Sequence, residues 1–174
     1  MPEEKKTTLW NEQKITRPKI DEIIPDVSDA GIRKTVSEFV LFLRENKMSP
    51  GWAGANLWNA KSKGKSICGI GLGKRNWFCK ESNFWVVTLN HLNHMDEYED
   101  KIIKEGLQEI VWNNIRHCAY CSRCAPGKNI KICGKELKSV CKDSHLFIHD
   151  PDEAMVSGIK KLLELEKQAR INGG

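Results

Sequence analysis

Apolar residues recur at spacings of three and four in three stretches of the chain. In the first, Ile32, Val36, Phe39, Val40 and Leu43 mark one stripe of a helix over about 29–46. Ser28 is its expected N-cap, Asp29 favours the positive end, and Pro50-Gly51 bars continuation. In the second, Tyr98, Ile102, Leu107, Ile110 and Val111 predict a helix from roughly Asp96 to Ile115, capped by Asn93. The third opens with Asp150 as N-cap, Pro151 at the first helical position and Glu153 to close a capping box. Met155, Ile159, Leu162, Leu163 and Glu166 then form its inner stripe, to about Arg170.

Between the first two helices the period changes to two. Trp52 to Trp58 predicts a first strand, followed by a lysine-rich turn over Lys61–Lys65. In SICGIGLG, Ile67, Gly69 and Gly71 alternate with Cys68, Ile70 and Leu72. Glycines there mark bulges or places where another segment or a ligand comes close. NWFCK and FWVVTL predict two further strands around a turn at Glu81–Asn83, and Ser144–Ile148 another short one. Residues 1–27 read as an extended polar arm, with Trp10 as its bulky anchor and Pro18 and Pro25 against a long helix. The expectation is one α+β domain over 28–170: an antiparallel sheet, helices packed on one face, and a long cysteine-rich loop, 117–149, before the C-terminal helix.

The chain has 174 residues, enough to bury a core without staples. It contains no apolar run long enough to span a membrane and no usual signal peptide, which leads to a cytoplasmic, reducing location. There, seven cysteines point to metal or redox chemistry before disulfides. The net charge of +5 is unevenly placed. Residues 49–80 carry six bases and no acid, and 117–142 carry six bases against Glu136 alone. Six bases around thiolates are charge compensation as readily as a nucleic-acid surface, so nucleic acid is disfavoured as a partner.

Cys118, Cys121, Cys124, Cys133 and Cys141 give a C-x2-C-x2-C-x8-C-x7-C spacing. Cysteines with two residues between them can turn their sulfurs to one ion, and zinc takes four such donors. Cys118, Cys121, Cys124 and Cys141 are the preferred ligand set, and His117 is an awkward alternative beside Cys118. An iron–sulfur cluster is the second cofactor expected, although a ferredoxin-type run would need its next cysteine at Lys128. His91 and His94 lack a third ligand at a recognisable spacing and read as a solvated helix entrance. Pro126-Gly127-Lys128 lacks the rest of a phosphate loop, HExxH is absent, and no catalytic residue is legible. Trp52, Trp58, Trp77 and Trp85 suggest an aromatic pocket on the sheet, with Asn56 or Lys65 as polar contacts.

KMSPGW at 47–52, KGKSIC at 63–68, CAPGK at 124–128, GKEL at 134–137, Cys141, DPD at 150–152 and LLEL at 162–165 together resemble a family of small proteins from clostridia and related gut bacteria. The resemblance covers about 36–167 and implies an α+β fold, with no activity or cofactor attached. It carries over Cys121, Cys124 and Cys141, while Cys133 stands where that family has a bulky apolar residue. The leading expectation is a binding or structural protein whose loop is fixed by a metal, zinc before iron–sulfur. The alternatives are a small-molecule sensor with an aromatic pocket, arranged as a homodimer, and a thiol-redox protein switching through Cys118 and Cys121.

Overall fold

The computed structural model describes residues 2–73, 85–90, 92, 94–119, 126–142 and 144–172. Six helices and two sheets are present among them: α1 (Pro2–Thr16), α2 (Ile20–Ile23), α3 (Ala30–Glu45), β1 (Gly51–Gly54), β2 (Leu57–Ser62), β3 (Lys65–Leu72), β4 (Trp85–Asn90), α4 (Glu99–Lys104), α5 (Gln108–Asn114), β5 (Lys128–Ile132), β6 (Lys135–Val140), β7 (Ser144–His149) and α6 (Glu153–Asn172). Short 3-10 turns at Ile24–Asp26 and Met95–Tyr98 complete the set. The larger sheet is antiparallel, in the order β1-β2-β3-β4-β7, and β5 pairs with β6 separately. The α+β class expected from the periodicities is therefore observed. The expected strand NWFCK and the turn after it lie outside the described residues.

Directly opposed residues in antiparallel strands share a face. Trp58, Ile70, Val87 and Ile148 thus form one row across the sheet, and Ala60, Cys68, Leu89 and Leu146 the next. Every one of them is at most 1 % exposed. Against these rows lie Val36, Phe39, Val40 and Leu43 of α3 and Val156, Ile159, Leu162 and Leu163 of α6, all in one hydrophobic cluster. Phe39 meets Trp85 edge-on at 6.2 Å. On the opposite face, a Cβ at Gly69 would collide with the Thr88 hydroxyl and approach Asn59 Oδ1 to 3.1 Å. The glycine there makes room for neighbouring side chains of the same sheet.

The first strand expected, Trp52–Trp58, is a hairpin: β1 turns at Ala55-Asn56, where Asn56 takes φ 51°. The helix expected over 96–115 is likewise divided. Gly106 adopts φ 68°, and the bonds Leu107 N–H to Ile102 O (2.9 Å) and Gly106 N–H to Ile103 O (3.0 Å) close α4 in a Schellman turn. At α6 the cap is Asp152, whose Oδ1 accepts from Met155 N–H at 2.7 Å. Asp150 instead accepts from Trp85 N–H at 2.9 Å and so ties the sheet to the helix entrance.

Two expectations are corrected here. Residues 2–16 are helical, not extended. The helix ends before Pro18, since the residue preceding proline is barred from the α region, and Arg17 turns away at φ 45°. Ile20, Ile24 and Val27 then bury the rest of the arm. The second correction is that no long cysteine-rich loop precedes α6 among the described residues. Most of that stretch is the β5–β6 hairpin and β7. Ile115 bridges Leu146 and His117 bridges Val140, so backbone pairing through 115–118 links the small sheet to the large one.

Candidate functional site

On α6, the inner stripe predicted from the sequence continues into a carboxylate. Glu166 is fully buried. Desolvating such an ion costs several kcal/mol unless partners replace the lost water. Three do so. Tyr98 Oη donates to Oε2 at 2.7 Å, Arg170 Nε donates to Oε1 at 2.9 Å, and His94 Nδ1 lies 3.0 Å from the same oxygen. Arg170 sits one helical turn on, where the i,i+4 spacing brings it over Glu166, and its Nη2 also reaches Asn90 O at 3.4 Å. Burial and then the Glu166 charge push the Tyr98 hydroxyl well above the usual tyrosine range, which keeps it a donor. Lys63 Nζ caps the Arg170 carbonyl at 3.1 Å.

His94 and Tyr98 belong to a short segment, 92–98, from which Leu92, Met95 and Asp96 face elsewhere. Leu92 and Met95 join Ile130 and Ile132 in lining a cleft of about 270 Å³ with Asp96, Lys128 and Lys131. Leu92, Met95 and Ile132 are 2 %, 5 % and 2 % exposed, so they form an apolar floor under a charged rim. A second cleft of about 370 Å³ lies between α4 and α6, lined by Lys101, Lys104, Glu105, Lys161, Glu164, Leu165 and Gln168. The Lys161–Glu105 ion pair, at 2.6 Å, sits in that lining, where Leu165 is the one apolar residue among charged and amide side chains. By composition the first cleft is the better ligand seat, because binding energy comes from apolar walls with a few placed polar groups.

The cysteine site does not form as expected. Among the described residues no group of three or more His, Cys, Asp or Glu side chains could hold a metal ion. Cys118 and Cys141 lie in the paired backbone where Cys118 N–H bonds Ser139 O (2.6 Å) and Cys141 N–H bonds Arg116 O (2.8 Å). Cys133 occupies the tip of the β5–β6 hairpin at φ 49°, a strand length of roughly 20 Å away. Cys121 and Cys124 lie outside the described residues. Cys68, Cys133 and Cys141 are free thiols. Zinc and iron–sulfur as cofactors, and the metal-fixed loop as the function, are corrected accordingly. The described part of that stretch is ordered by its own ladder. His117 takes part in that ladder, with Nδ1 2.9 Å from Lys138 O.

The tryptophans divide. Trp58 and Trp85 are 0 % and 1 % exposed and fill the interior, with Trp58 Nε1 donating to Pro18 O at 2.9 Å. Trp52 lies nearer the surface, its ring 5.5 Å from that of Trp10. Beside them Gln13 donates to Asn56 Oδ1 (2.6 Å) and accepts from Asn56 N–H (2.8 Å) and Trp52 Nε1–H (3.3 Å). Trp77 and His91 lie outside the described residues. Sequence reasoning missed the joint role of Glu166, Arg170, Tyr98 and His94, although a carboxylate on an apolar helix stripe, followed at i+4 by arginine, was a visible signal. No helix among the described residues is long and apolar enough to cross a membrane.

A scan against protein-family models, a search of curated proteins and a search of solved structures each return no match to this chain.

Proposed function

We propose that this protein is a small-molecule sensor, a binding module with no reaction of its own, whose ligand seats between segment 92–98 and β5. The ligand has a compact apolar body and an anionic group. The observation that carries this reading is the cleft itself: Leu92, Met95, Ile130 and Ile132 below, with Lys128 and Lys131 against the lone Asp96 at the rim. The apolar floor takes the ligand's apolar body out of water, and the excess positive charge selects the head group. The sensor reading is that of the aromatic pocket, moved off the tryptophans because Trp58 and Trp85 are occupied as core.

Octanoate is a probe of this chemistry. Saturable shifts of the Leu92, Met95, Ile130 and Ile132 methyl resonances are expected on titration with it. Reversing both Lys128 and Lys131 to Glu weakens binding about tenfold or more, since each rim charge contributes up to about 1 kcal/mol. The absence of saturable shifts at these methyls in the native protein would overturn the proposal.

A further inference from the structure

The segment that walls the cleft is also the segment that holds the buried carboxylate, and the two roles fall on different residues. Leu92 and Met95 face the cleft. His94 and Tyr98 face Glu166. The turn at Met95–Tyr98 is a single 3-10 turn, and α4 after it has only six residues. Elements this short have little stability of their own, so the position of 92–98 depends on what it is tied to. Its polar ties run to α6, a helix of 20 residues whose Ile159, Leu162 and Leu163 are wholly buried. Arg170 adds a second tie, reaching from the same carboxylate to Asn90 O at the end of β4, two residues before Leu92.

We infer that Glu166 is the positioning residue of the cleft, and that through His94 and Tyr98 it couples occupancy of the cleft to the C-terminal half of α6. This inference rests on the binding role proposed above and adds its regulation. The coupling is reciprocal. A ligand that presses on Leu92 and Met95 shifts the donors of Glu166, and a change at Glu166 shifts the cleft wall. The buried carboxylate suits this task because it tolerates few arrangements: a displaced donor leaves charge unpaired in the interior.

The test compares octanoate binding with amide exchange in α6. In the native protein, octanoate shifts the cleft methyls and slows exchange at residues 163–172 about fivefold or more, within the usual range of coupling energies. Glu166→Gln weakens octanoate binding about tenfold and removes that protection. Val36→Ala, which opens a core cavity away from the segment, serves as the stability control and leaves octanoate affinity within about twofold. Tyr98→Phe is the second variant, with affinity reduced about threefold or more. If Glu166→Gln binds octanoate as the native protein does, the inference is overturned. If that variant does not fold, Tyr98→Phe decides, and unchanged affinity there overturns it equally. Native cleft methyls that ignore octanoate would sink the binding role and this inference together, whereas cleft shifts with indifferent variants would sink only the coupling.

Discussion

Two polar nodes attach peripheral segments to the core, and they differ in kind. At one edge, Gln13 holds α1 to the β1–β2 hairpin through neutral amide bonds, with Trp10 laid against Trp52. At the far end of α6, Glu166 and Arg170 hold segment 92–98 through charge. An amide that loses a partner leaves one unsatisfied dipole, at a cost of about 1–3 kcal/mol. A buried carboxylate that loses its cation leaves a charge, which costs more. The neutral node is a fastening that local opening can release. The charged one binds its segment into the global fold.

The comparison can be broken most directly at Arg170. Arg170→Met leaves Glu166 without its cation, and a loss of about 3–5 kcal/mol is expected in urea unfolding. A loss below about 1 kcal/mol would mean that the node is no more costly to disturb than a surface pair. Tyr98→Phe removes one donor to the same carboxylate and should cost about 1.5–3 kcal/mol by the same measurement. Its double-mutant cycle with Glu166→Gln should show non-additivity above about 0.5 kcal/mol, since the two side chains touch.

Gln13→Ala should release α1 at about 1–2 kcal/mol, read as faster amide exchange in residues 9–16, while the urea midpoint of the core hardly moves. An equal fall in global stability would erase the distinction between the nodes. The smallest effect belongs to an exposed pair, Asp21 with Arg44. The Arg44 hydrogen bond holds the Asp21 carboxyl below its ordinary value of 3.8. Its contribution is therefore full above that value and is lost as pH falls through the lower folded one. Both side chains are over a third exposed, so Asp21→Asn should change stability at neutral pH by only about 0.2–1 kcal/mol.

The pattern of apolar positions made α3, α6 and the α+β class legible, because burial on one stripe or one face leaves a periodic trace. It also placed Tyr98 and Glu166 on inner faces without saying that they meet. Residues 68 positions apart share no local signal, and only the packing of α6 against the turn after β4 brings them within 2.7 Å. The cysteines show the opposite error. Cysteines with two residues between them look like a metal clamp in a line of letters, but backbone pairing of 116–118 with 139–141 holds Cys118 and Cys141, the described members of the set, in a ladder. The break at Gly106 was equally hidden, since the apolar residues on either side keep a helical rhythm across the Schellman turn.

By itself the sequence determined which residues are inside, since that follows from hydrophobicity taken at the period of each element. Tertiary structure alone decided which inside residues meet. It sent Trp58 and Trp85 into the core, spread Cys133 from Cys118 and Cys141, and brought Tyr98 and His94 to join Arg170 around one carboxylate. The physical reason is that burial is a property each residue carries along the chain, whereas pairing of buried charges depends on directions and distances that exist only once the layers have packed.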